Sequence, residues 1–104
     1  MFWKKSNKGR PKDLEGRWAV DTSDATTLNE LGDVALEFDA DGRLTYTIKL
    51  PDKLQAILLT YRVEGNTIVT DQPSHPDEQR SEFEVDGDRL VVLFGGQQSR
   101  FVRV

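Results

Sequence analysis

Eight short runs in which apolar and polar residues alternate, separated by turn residues, limit what this 104-residue chain can become. The clearest is RLTYTIKL (43–50), with Leu44, Tyr46, Ile48 and Leu50 on one side and Arg43, Thr45, Thr47 and Lys49 on the other. A period of two marks a strand with one face buried. LEGRWAVD (14–21), DVALEFD (33–39), QAILLTYRVE (55–64), NTIVTD (66–71), SEFEVD (81–86), DRLVVLF (88–94) and SRFVRV (99–104) complete the series. Asp41-Gly42, Pro51-Asp52, Gly65-Asn66, Asp86-Gly87 and Gly95-Gly96 stand between runs. Asx-Gly and Gly-Gly pairs supply the positive φ of tight hairpins, so consecutive strands are antiparallel neighbours. A meander of eight strands removes both of its edges by closing on itself. The expected fold is an all-β, eight-stranded antiparallel up-and-down barrel over residues 14–104, preceded by a tail, residues 1–13.

Two connections are longer than hairpin turns. TSDATTLNELG (22–32) reads as a short helical turn after strand 1, with Asp24 as its cap, Leu28 and Leu31 as an apolar pair, and Gly32 as its stop. DQPSHPDEQR (71–80) holds two prolines, the single histidine His75, and a Ser74/Asp77 capping pattern good for one tight turn. The two follow strands one and five. Equal parity puts them at the same end of a meander, which becomes the elaborated mouth. At the plain end the last strand returns beside the first, which brings Arg103 to Trp18 and builds a floor from Gly16, Trp18 and Arg103. A guanidinium over an indole contributes about 0.5–2 kcal/mol.

The sequence excludes several chemistries. With no cysteine there is neither a disulfide nor a thiolate metal site, which fits a reducing cytoplasm. One histidine rules out a two-histidine metal site within the chain, and no nucleophile, base and orienter come together around it. EFDADG (37–42) fails as a calcium loop, because its twelfth position is Ile48. No catalytic residue, metal or cofactor is expected, and the chain is read as non-enzymatic. The first twelve residues carry five bases and no acid, leaving nine bases against all eighteen acids in the rest. Such a body repels phosphate, so nucleic acid is not an expected partner. The basic segment, with Phe2 and Trp3 beside Lys4, Lys5 and Lys8, has the chemistry of peripheral contact with an anionic membrane. It has no apolar stretch of the kind a secretory signal requires.

Gly16-x-Trp18 at the head of a meander, a helical segment directly after strand one, and a late arginine returning to the tryptophan resemble the lipocalins and their calycin relatives. Small bacterial lipocalin-like domains are the nearest in kind. The resemblance implies a non-enzymatic module that binds a small apolar molecule at the barrel mouth, with Leu28, Leu31, Tyr46, Tyr61 and Phe83 as its contacts. The Arg-x-Tyr with which intracellular fatty-acid carriers hold a carboxylate is missing, since the last strand reads Arg100-Phe101-Val102-Arg103. A second reading stays open beside it: large inward residues fill so narrow a barrel, and its outer surface serves a protein partner. Leu58, Val91 and Leu93 on outward positions would belong to such a surface.

Overall fold

The computed structural model describes residues 11–74 and 76–104; His75 and the aromatic, basic segment 1–10 lie outside the described residues. A helical turn, α1 (Pro11–Leu14), leads into β1 (Gly16–Val20), and a second helix, α2 (Ala25–Leu31), separates β1 from β2 (Val34–Phe38). Then follow β3 (Arg43–Leu50), β4 (Lys53–Glu64), β5 (Thr67–Asp71), β6 (Gln79–Asp86), β7 (Arg89–Phe94) and β8 (Gln97–Arg103). The strands form one closed barrel in chain order, every neighbour antiparallel, with β8 returning to β1. No helix among the described residues is long and apolar enough to cross a membrane.

The alternation puts Trp18, Val20, Val34, Leu36, Phe38, Leu44, Ile68, Phe83, Leu90 and Phe101 into one buried cluster. Turn chemistry then fixes the register. Asp39 accepts the backbone N–H groups of Asp41 and Arg43, each at 2.9 Å, and Gly42 takes φ +83°, which a residue with a Cβ rarely adopts. The expected helix after β1 forms as the sequence indicates. Asp24 accepts the Thr27 N–H at 3.2 Å, and Gly32 returns its own N–H to Leu28 O at 2.8 Å.

Thr27 adds a link that the apolar pattern does not announce. It is fully buried, and its hydroxyl accepts the Arg100 N–H at 3.0 Å, tying α2 to β8 across the barrel seam. Outside the barrel, Val69 is only 2% exposed although it points away from the core cluster. Its register neighbours Arg62 and Arg80 flank it. Glu64 lies 2.7 Å from Arg62 and 3.0 Å from Arg80, and these hydrogen bonds hold its carboxyl below the usual range. The arginine stems cover the valine while their heads stay in water.

Three strands begin two residues before their apolar runs: β4 at Lys53, β6 at Gln79 and β8 at Gln97. Leu14, placed by its sequence in the first strand, instead ends the helical turn before it. The Ser74/Asp77 pattern starts no helix; Asp77 donates its N–H to Asp71 Oδ1 at 2.9 Å, so the end of β5 holds the loop.

Replacing Thr27 by valine keeps its shape and leaves the Arg100 N–H without an acceptor. The expected loss is about 1–3 kcal/mol, seen as a lower midpoint in urea unfolding with an unchanged slope.

Candidate functional site: a cavity closed below and open above

The barrel has two unlike ends. At the floor the chain brings Gly16, Trp18 and Arg103 together, the three residues expected there. Trp18 pairs with Arg103 in the β1–β8 register, and the Arg103 guanidinium carbon lies 4.2 Å from the indole centroid. Arg103 donates from Nη1 to Glu15 O at 2.9 Å and from Nη2 to Asp13 O at 3.0 Å, while its Nε lies 3.6 Å from Asp88 Oδ1. One planar fork therefore satisfies two carbonyls of the entering chain, which a lysine cannot do. The indole N–H of Trp18 donates to Leu14 O at 2.9 Å, and Leu14 itself is fully buried. Leu14 is the floor residue that the sequence reading missed; an isolated apolar residue just ahead of Gly-x-Trp is its only signal. Gly16 has φ +120°, and a Cβ there would lie 2.9 Å from Arg103 Nη1. The glycine is required twice, by conformation and by space.

Above this floor the side chains do not fill the barrel. A cavity of about 410 Å³ remains. Much of its wall is apolar, from Leu36, Phe38, Leu44, Leu59, Ile68, Val92 and Phe101. Polar side chains join it, with Tyr46, Thr70, Gln79, Gln97 and Ser99 beside apolar Phe94 at the end of β7, and Glu30 and Leu31 of α2 complete the lining. Glu30 is the one charged residue among the described residues that line it. The volume lies in the range of about 300–1,000 Å³ of small-molecule sites, with the few polar groups such sites need.

Of the five expected contacts, Leu31 and Tyr46 line the cavity; Leu28, Tyr61 and Phe83 do not. Leu28 packs against the core cluster, because the helix turns Leu31 to the barrel and Thr27 to β8. Tyr61 belongs to the floor half. Its hydroxyl donates to Asp39 O at 2.7 Å, and its ring meets Phe38 edge-on with centroids 5.0 Å apart. Its polar tip is thereby used up. Phe83 is buried in the packed cluster. Thr70, Gln79, Ser81, Gln97 and Ser99, further polar members of the wall, were not among the expected contacts. Their inward positions follow from alternation, but polar side chains there read as interruptions of the apolar pattern.

The α2 helix and residues 72–74 and 76–78 between β5 and β6 both lie at the open end, as parity requires. No protein-family model, curated protein or solved structure matches this chain.

Burial raises the Tyr46 hydroxyl above its ordinary value; for Tyr61 burial does the same, aided by the charges of Glu15 and Asp39. These are the chain's two tyrosines. A phenol whose folded pKa is raised contributes stability that is intact below the unfolded value near 10 and is lost as pH rises through the folded value. Alkaline titration of phenolate absorbance should therefore show no tyrosine ionising at the ordinary pH until the barrel opens. At the floor, Arg103→Lys should cost about 1–3 kcal/mol by losing the charge-assisted fork, whereas the exposed Arg100→Lys should change urea stability by less than about 0.5 kcal/mol.

Proposed function

We propose that this protein is a non-enzymatic, lipocalin-like carrier or sensor that takes a small, mostly apolar molecule into the barrel from the mouth. The observation that supports this reading is the cavity of about 410 Å³, lined mostly by apolar side chains with a few uncharged polar groups among them. A floor closed by Trp18, Leu14 and Arg103 leaves the mouth as the way in. The absence of cysteine accords with a reducing, cytoplasmic setting for such a carrier.

The lining also selects the ligand's charge. No lysine, arginine or histidine is among the described lining residues, and the rim holds a carboxylate, Glu30. An anionic head group would lose its water with no cation to replace it, and would meet a like charge on the way in. The preferred ligand is uncharged: an apolar body resting on Phe38 and Ile68, with a hydroxyl, amide or ester group among Thr70, Gln79 and Ser99.

Binding of a neutral naphthylamine probe, followed by its fluorescence, tests this. A medium-chain alcohol should displace the probe at about tenfold lower concentration than the carboxylate of equal length, given the cost of an unpaired buried charge. Ser99→Phe, which fills the cavity without cutting the core, should abolish probe binding and leave the circular dichroism of the barrel intact. If the probe fails to bind the unmodified chain, or if Ser99→Phe binds it equally well, the carrier reading is wrong.

A further inference from the structure

One hydroxyl in the cavity has nothing to bond to among the described residues. Tyr46 stands in the middle of β3, half-buried, and its side chain lines the cavity. Its phenol makes no hydrogen bond with any described residue. Burial alone raises its pKa, with no hydrogen bond or charge contributing, so the hydroxyl itself is withdrawn from water. The other tyrosine is the contrast: the Tyr61 hydroxyl donates to Asp39 O at 2.7 Å. A hydroxyl removed from water and given no partner lowers stability. The fold gains nothing from it, since phenylalanine would fill the same volume without the loss.

The surroundings of Tyr46 restrict what can meet this donor. In register it lies between Leu36 of β2 and Ile57 of β4. The next residues on the same face of β3 are Leu44 and Ile48. None of these four side chains can donate or accept a hydrogen bond. Directly across a ring of eight strands stands β7, whose contributions to the lining are Val92 and Phe94. The polar groups Thr70 and Gln79 lie on β5 and β6 as cross-strand partners, so each has a polar neighbour. Tyr46 has none on either adjoining strand.

We propose that Tyr46 donates its hydrogen bond to a carbonyl oxygen of the bound molecule, which makes the ligand class neutral ketones and esters with an apolar body on Leu36, Phe38 and Leu44. The inference rests on the carrier reading and narrows its ligand. A carbonyl has only acceptor sites, and one donor satisfies it. An alcohol can accept the same bond, but its own proton then finds no acceptor among Leu36, Leu44, Ile48 and Ile57. That leftover proton is the basis of selection. A carboxylate would exchange its water for a single neutral donor, which is too little to hold a charge.

The test uses the full chain and displacement of the naphthylamine probe by a long-chain methyl ketone, the secondary alcohol of the same skeleton and the matching alkane. Tyr46→Phe should weaken the ketone about fivefold to tenfold, as loss of one neutral hydrogen bond does. It should weaken the alcohol less and leave the alkane unchanged. The infrared carbonyl band of an isotope-labelled ketone should lie at lower frequency on the protein than in hexane, and should move back in Tyr46→Phe. Without ligand, Tyr46→Phe should leave the urea midpoint unchanged or higher, whereas Tyr61→Phe, which cuts the bond to Asp39 O, should lower it. Circular dichroism checks that both variants keep the barrel. A chain that binds neither probe nor ketone ends the carrier reading and this proposal with it. A chain that binds both, while Tyr46→Phe leaves the ketone's affinity and its carbonyl band unchanged, overturns this proposal alone. So does a urea midpoint that falls as far for Tyr46→Phe as for Tyr61→Phe, because the hydroxyl is then bonded within the chain.

Discussion

Everything in this molecule depends on the contact between the two ends of its sheet. A meander of strands is a ribbon with two raw edges until its last strand finds its first, and here that meeting is made specific by one arginine. Arg103 lies over Trp18 and reaches past Gly16 to the carbonyls of Asp13 and Glu15. The indole N–H takes the next carbonyl, that of Leu14. Three consecutive carbonyls of the entering chain thereby gain donors, and Leu14 is drawn in as a fully buried stopper. The pair of strands β1 and β8 is short, with three register partners. Side chains therefore supply the specificity that a longer ladder would supply elsewhere.

With one end sealed, the polarity of the interior acquires a direction. Deep positions are filled by Phe38, Leu44 and Phe101, whereas the same inward parity nearer the rim carries Thr70, Gln79, Gln97 and Ser99. Small polar residues near the rim have two effects. They leave room, because serine and threonine occupy less volume than the phenylalanine and leucine below them. They also give a bound molecule hydrogen-bonding groups without imposing a charge. The cavity is a matter of where volume is withheld as much as of what is present.

Most of the architecture was legible in the residues because a half-buried strand writes its geometry into a period of two. Leu44-x-Tyr46-x-Ile48 could point only one way, and Asp24 with Gly32 bounded the helix correctly. What escaped has physical reasons. Alternation says which side of the sheet a residue takes, not how far up or down the barrel its side chain leans, so Tyr61 was placed at the mouth when its hydroxyl belongs to Asp39. The start of β4 was missed because Lys53 and Leu54 rise above the barrel in a two-stranded ribbon with no inside, where the pattern has nothing to respond to. Thr27 was not singled out, since burial of a threonine depends on a backbone N–H seventy-three residues away. An interior volume follows from strand tilt and from the sum of many side chains, and no single residue carries it.

The floor clasp also bears on how the chain reaches this state. Every pairing but one joins strands adjacent in sequence, five of them through tight turns of the kind that close within microseconds. The exception joins Arg103 to Glu15 across 88 residues, nearly the whole chain. Loop-closure entropy grows only as the logarithm of length, yet the ribbon must already be curled for its two borders to meet. The seam is thus the pairing of greatest sequence separation in the barrel, the kind of contact that slows folding. Until that pairing forms, β1 and β8 are unpaired edges, the feature through which chains join wrongly, and Arg103 over Trp18 is the contact that takes both edges out of reach.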